Sequence, residues 1–150
     1  MSPHTTSSPQ LLDVASPERT HWIELPAHRS SVSAARRSAN ARMDDWHLPA
    51  EMTAEAVLLV SELATNAVCH TPSVRILCGI GLITDQCLRL EVHDHAYAVD
   101  RLPRCEPGLE DEGGRGLFLV EEIAHTWGID RSRLTGGNAV WATLLVPDST

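Results

Sequence analysis

Apolar and polar positions follow two rhythms along this chain, one of about 3.6 residues and one of two. The two-residue rhythm opens at His21–Pro26 (HWIELP), where Trp22 and Glu24 alternate with Ile23 and Leu25 and Pro26 ends a short strand. Helical spacing follows over Ser30–Trp46: Val32, Ala35, Ala39 and Met43 recur on one stripe, and Arg36, Arg37 and Arg42 take other faces. A turn at His47, Leu48 and Pro49 precedes the strongest signal, Thr53–His70 (TAEAVLLVSELATNAVCH). There Ala56, Val60, Leu63 and Ala67 form a stripe with Val57, Ala64 and Val68 beside it; Thr53 is a reasonable N-cap and Pro72 a stop. Two alternating runs come next, one through Val74, Ile76, Cys78, Ile80 and Leu82, the other through Leu88, Leu90 and Val92. Thr84, Asp85 and Gln86 suit a hairpin turn between them.

Periodicity is lost from His95 to Arg115, where Pro103, Pro107, Gly108, Gly113 and Gly114 gather with Glu110, Asp111 and Glu112. A loop of that length inside a compact domain usually serves as a lid or binding loop. Helical spacing resumes over Gly116–Trp127 through Leu117, Val120, Ile123 and Ala124, and a last strand carries Val140, Ala142, Leu144 and Val146 on one face. The order β-α-α-β-β-loop-α-β predicts an α+β two-layer sandwich, with helices on one face of a mostly antiparallel sheet. Residues 1–20, rich in Ser, Thr and Pro, read as a flexible tail, residues 21–147 as a single domain and residues 148–150 as a short tail.

Composition narrows the chemistry. The chain has 150 residues with 20 acids against 12 bases, a formal charge of −8, and every base is Arg. Without lysine there is no P-loop, no kinase strand lysine and no Schiff base. An acidic chain lacking a basic block is a poor binder of nucleic acid. No stretch approaches the roughly 20 consecutive apolar residues of a membrane span, and the first ten residues lack the basic start and apolar run of a secretory signal. Cys69, Cys78, Cys87 and Cys105 form no CxxC pair and are expected to be reduced, mostly buried thiols of a cytoplasmic protein.

Three groups of residues could carry chemistry. Glu62 and Asn66 lie one turn apart on one face of the long helix, a carboxylate able to accept a proton beside an amide oxygen suited to Mg²⁺. Taken alone, the pair reads first as a solvated polar stripe on a surface helix. Asp94 continues the parity of Leu88, Leu90 and Val92, which aims its carboxylate inward, where a purine amine, a backbone amide or an Arg would have to meet it. Alternatively the strand ends one residue earlier and Asp94 begins a turn. Gly114, Arg115, Gly116 and Leu117 open a helix with a glycine-rich turn, either a lysine-free phosphate cradle or a turn that only permits tight geometry. Gly136 and Gly137 read as a plain turn. A metal site at His93 and His95 with Cys78 and Cys87 is a further reading, opposed by the simpler one of core histidine and buried thiols.

Taken in order, VLLVSELATNAVCH (Val57–His70), LRLEVHDHA (Leu88–Ala96), GGRGLFLVEEIAHTWGI (Gly113–Ile129) and GGNAVWATL (Gly136–Leu144) resemble the GHKL-type ATP-binding domains, or HATPase family, of gyrase, histidine kinases and anti-sigma regulatory serine kinases. PAHRSSVSAARR (Pro26–Arg37) resembles the first helix of the small anti-sigma branch. The likeness covers about residues 20–147 and implies a Bergerat-type fold with ATP and Mg²⁺ as cofactors. By the same likeness Asn66 is the Mg²⁺ ligand and Glu62 activates the attacking hydroxyl or water. Asp94 recognises adenine, Gly114, Arg115, Gly116 and Leu117 contact phosphate, and the loop from about Arg101 to Gly113 is the lid.

The resemblance further implies a transcription regulator that sequesters a sigma factor and phosphorylates a serine of an anti-anti-sigma antagonist. Relatives commonly pair through the first helix and the sheet, so a homodimer belongs to the same expectation. Two positions depart from the family pattern: Ala96 after Asp94 and His95, and Asn138 after the second glycine pair. Both favour the alternative of a catalytically silent nucleotide switch or interaction module on the same fold.

Overall fold

The computed structural model describes residues 11, 16–70, 73–95 and 119–147. A 3-10 turn at Pro17–Arg19 leads into strand β1 (Thr20–Pro26), followed by helices α1 (Ser30–Asp45) and α2 (Ala50–His70). Strands β2 (Arg75–Thr84), β3 (Cys87–His93), β4 (Thr126–Arg131) and β5 (Asn138–Leu145) complete the elements, and residues 119–123 are helical. The strands form one sheet in the order β1-β2-β3-β5-β4, in which every described pairing is antiparallel. The α+β sandwich is therefore as expected, and among the described residues the sheet is wholly antiparallel.

The core lies between the helices and one sheet face. Small residues of α1 (Ala35 and Ala39) let it pack closely on α2, whose Ala56, Leu59, Leu63 and Ala64 are buried. Beneath them lie Ile76, Cys78 and Ile80 of β2, Leu88, Leu90 and Val92 of β3, and Ala142 and Leu144 of β5. These are the inward parities of the strands, so the alternation set the register of the core. Truncating a leucine as enclosed as Leu63 costs about 2–5 kcal/mol in such surroundings.

Several boundaries differ from the sequence reading. Helix α2 begins at Ala50, so Thr53 lies inside it, and its amide and hydroxyl both bond to the carbonyl of Pro49 at 2.9 and 3.1 Å. A threonine one turn into a helix can make that bond as readily as a cap. Val74 precedes β2 and is exposed rather than part of the inward row. The helix read over Gly116–Trp127 is helical only to residue 123 among the described residues, and Trp127 belongs to β4. Trp127 falls in helical phase with Ile123 and Ala124 and packs with them on the core, which hid the strand's own pattern. Pro17–Arg19 and the buried Leu11 lie within the stretch read as tail.

Two compositional expectations also change. The window Ala50–Cys69 is long and apolar enough to cross a membrane, with mean hydropathy 1.3, but half of it is buried inside the domain. It is the core helix, apolar because it is covered. Cys69 is disulfide-bonded to a partner outside the described residues, whereas Cys78 and Cys87 are free thiols. Burial pushes the Cys78 thiol up to about 12. A long-range pairing leaves no mark in cysteine spacing, so thiol chemistry gives no support to the expected compartment.

The opposite, outer face of the sheet is polar in sequence yet closed. One transverse row runs Trp22, Gly79, Glu91, Trp141, Gly128 across the strands. A Cβ on Gly79 would sit 2.6 Å from Cε3 of the Trp22 ring and closer still to Cζ3, and one on Gly128 would sit 2.7 Å from the ring of Trp141. The two glycines thus let the indoles lie flat on the sheet.

Candidate functional site

Asp94 is the best-defined of the candidate residues. Strand β3 ends at His93, as the alternative reading had it, yet Asp94 is only 3% exposed. Its amide still donates to the carbonyl of Asn138 at 2.9 Å, which continues the ladder to β5 by one bond. The Asn138 amide donates back to Asp94 Oδ1 at 3.0 Å. The Thr135 hydroxyl donates to the Asp94 carbonyl at 2.5 Å and accepts the Gly137 amide at 3.0 Å. A buried carboxylate is costly unless donors meet it, and here the main chain of the β4–β5 connection supplies one.

The glycine pair contributes directly. Gly136 adopts φ 82°, a left-handed conformation that glycine takes without strain. A Cβ on Gly137 would clash first with the main-chain carbonyl of Asp94 and would also lie 2.7 Å from its Oδ1, so glycine is needed here for Asp94 to pack this closely. The pair read as a plain turn thus also packs against Asp94. Asn138 holds Asp94 through its main chain, whatever its side chain. On the other side of Asp94, the His95 amide donates to the hydroxyl of the buried Ser73 at 2.7 Å.

Glu62 and Asn66 are half-buried on α2, at the border of its apolar stripe. Thr65 and Val68 turn instead toward α1, lining a groove with Arg29, Val32 and Arg36. Cys69, one turn beyond Asn66, lines the same groove. Helix α2 packs on β3, so this polar pair and the parity of Asp94 belong to the same side of the sheet. Gly114, Arg115, Gly116 and Leu117, the lid from 101 to 113 and Ala96 lie outside the described residues.

The donor set suits a magnesium nucleotide. Asn66 offers a hard amide oxygen, Glu62 a carboxylate, and Asp94 a carboxylate anchored from behind, with Gly137 clearing the space beside it. His93 and His95 do not form a metal centre. His93 is fully enclosed between Ser132 and Glu91, His95 is exposed, and no metal-binding cluster exists among the described residues.

The His93 arrangement has the outline of a hydrolytic triad. Ser132 Oγ lies 2.6 Å from Nδ1 of His93, and Glu91 Oε1 lies 2.7 Å from its Nε2. Ser132 Oγ, however, accepts the amides of Leu134 and Thr135 at 3.1 and 2.9 Å, so its proton goes to Nδ1 and Nε2 donates to Glu91. Serine, histidine and glutamate are all at most 2% exposed. This group closes a turn onto the sheet and offers no approach to a substrate.

Comparison with known proteins bears on the family and the fold. A family model described as Histidine kinase-like ATPase domain matches residues 25–144. No curated protein sequence matches the chain. Among solved structures, the crystal structure of the RsbU and RsbW domains of Rv1364c from Mycobacterium tuberculosis superposes with a TM-score of 0.60 at 17% identity. The match covers 86% of this chain and 33% of that one, so the present chain spans about a third of its neighbour and shares its fold.

Proposed function

Because the chain belongs to the histidine kinase-like ATPase domain family, we propose that it is an ATP- and Mg²⁺-dependent regulator of the anti-sigma type. It would act in the cytoplasm, sequestering a sigma factor and phosphorylating a serine on an anti-anti-sigma antagonist. The observation that carries the nucleotide part is the buried carboxylate of Asp94, clamped from behind by the Asn138 amide with Gly137 against it. The family match and the RsbW domain named in the neighbouring structure support the regulatory part.

In this reading Asp94 receives the exocyclic amine of adenine, and the main-chain clamp fixes the carboxylate in advance of binding. Asn66 holds Mg²⁺ through its amide oxygen, and Glu62 takes the proton of the attacking serine hydroxyl. Gly114, Arg115, Gly116 and Leu117 receive the phosphates, the role that the family resemblance implies for them. When bound, the nucleotide supplies the transferable phosphoryl group, and the protein's contribution is position and charge.

Calorimetry with Mg²⁺ and ATP tests the first step. Asp94→Asn keeps an oxygen for the Asn138 amide but places an NH₂ or a neutral oxygen before the purine, and should weaken binding at least about tenfold. Unchanged affinity would remove Asp94 from the site. Transfer of the γ-phosphoryl group to an antagonist, abolished or strongly slowed by Glu62→Ala, tests the second. Tight binding without transfer would instead support the silent switch suggested by Ala96 and Asn138.

A further inference from the structure

The geometry points to Ser132 and Thr135, anchored by His93, as positioning residues that aim the Asp94 carboxylate and so set its selectivity for a 6-aminopurine. The inference rests on the reading in which Asp94 receives adenine. Two hydroxyls build the connection between β4 and β5. Ser132 Oγ accepts the amides of Leu134 and Thr135 at 3.1 and 2.9 Å. The main chain of Ser132 closes the same turn, its amide donating to the Gly137 carbonyl at 2.8 Å and its carbonyl accepting the Gly136 amide at 3.1 Å. Thr135 Oγ1 ties that turn to the end of β3: it donates to the Asp94 carbonyl at 2.5 Å and accepts the Gly137 amide at 3.0 Å. Together they fix where the Asn138 amide meets Asp94 Oδ1, at 3.0 Å.

A turn closed on itself holds its neighbour only as firmly as it is itself held. His93 is that anchor. Ser132 Oγ already accepts two amides, so its proton goes to His93 Nδ1 at 2.6 Å. The ring cannot swing, because Nε2 is held by Glu91 Oε1 at 2.7 Å and Trp22 meets it edge-on with 5.5 Å between centroids. Glu91, His93 and Ser132 are at most 2% exposed, so water does not compete for these bonds. From the outer face, His93 thus grips the segment that clamps its own neighbour in sequence, Asp94. A recognition group must be held to within about 0.5 Å of its productive place by such supporting contacts. A turn lacking one of them would leave the carboxylate buried but loosely aimed.

Calorimetry of the full chain with Mg²⁺ and either ATP or purine riboside triphosphate, which lacks only the exocyclic amine, reads this selectivity as a ratio of affinities. Wild type should favour ATP by at least about tenfold, the worth of a hydrogen bond to a charged group. Thr135→Val removes the hydroxyl at nearly constant shape and should cut that preference by about threefold or more, whereas Thr135→Ser keeps it. His93→Gln can still reach Glu91 but not Ser132 and should cut it likewise. His93→Asn puts an amide oxygen in the place of Nδ1 and should keep most of it. A general loss of stability lowers both affinities alike and leaves their ratio unmoved. If wild type prefers ATP and Thr135→Val and His93→Gln prefer it as strongly, the inference is overturned and the reading of Asp94 stands. Equal losses in the conservative and the disruptive variants would also overturn it. If wild type shows no preference, or binds neither nucleotide, the reading of Asp94 fails and the inference with it. Should His93→Gln not fold, the two Thr135 variants decide alone.

Discussion

The two faces of β3 are both buried and are held by opposite chemistry. Toward the helices, Leu88, Leu90 and Val92 join one apolar core. On the other side, Arg89, Glu91 and His93 are equally enclosed, and there hydrogen bonding replaces the hydrophobic effect as the source of order. Glu91 alone engages a guanidinium, an imidazole and a main-chain amide. An apolar layer relaxes only partly around a lost side chain and is left with a cavity; a buried polar network is left instead with a stranded charge or donor.

The largest expected effect follows from that asymmetry. Glu91→Ala leaves Arg89 buried without its counter-charge and should cost about 3–5 kcal/mol in urea unfolding. Leu90→Ala, its neighbour on the apolar side, should cost about 2–5 kcal/mol through the cavity it leaves. The double change Arg89→Met with Glu91→Leu separates the two mechanisms, since removing both charges should recover part of the loss of Glu91→Ala, the His93 imidazole and the Leu11 amide still lacking their acceptor. If the double variant is no more stable than Glu91→Ala, the row is not held as an ion pair and the contrast between the faces fails.

A smaller effect tests how the outer face is roofed. Gly128→Ala places a methyl against the Trp141 ring, which is anchored by its Nε1 donating to Asp130 at 2.9 Å. The ring must lift or the strand must shift, at a cost of about 1–3 kcal/mol. Thermal unfolding together with the quenching of tryptophan emission would register both the loss and the displaced ring. Unaltered stability would mean the indole is not confined by the sheet.

The same contrast explains what could be read from the chain beforehand. The stripe of Ala56, Val60, Leu63 and Ala67 and the parity of Leu88, Leu90 and Val92 are repeated signals from side chains, so α2, β2, β3 and the core were legible. Alternation distinguishes a strand's two faces but does not tell what covers the polar one, and here the cover includes Leu11, far off in sequence. Strand β4 was concealed because Trp127 satisfies two periods at once. At the site, the inward aim of Asp94 was legible from its parity. Its clamp was not, because the amide of Asn138 belongs to the main chain and has no residue-type signature. Gly137 could have been suspected from its place before the final strand, but only the proximity of Asp94 explains why glycine is needed there.

The smallest expected effect concerns the imidazole on the helix face. His93, on the outer face, is enclosed by two side-chain partners; His21, at the start of β1, meets only the Ser38 hydroxyl of α1 among the described bonds, at 3.0 Å. Burial, and secondarily the charge of Arg42, holds the His21 pKa below its ordinary value of 6.5. The folded protein therefore takes up this proton less readily than the unfolded chain. Its contribution to stability is complete above the unfolded value and is lost as pH falls through about 6.5 toward the folded value. His21→Gln keeps a group able to bond Ser38 and cannot titrate. Between about pH 7.5 and 5.5, wild type should lose slightly more stability in urea unfolding than this variant. Parallel losses would show that water reaches the ring, and that the helix face is less dry at its β1 edge than its apolar lining suggests.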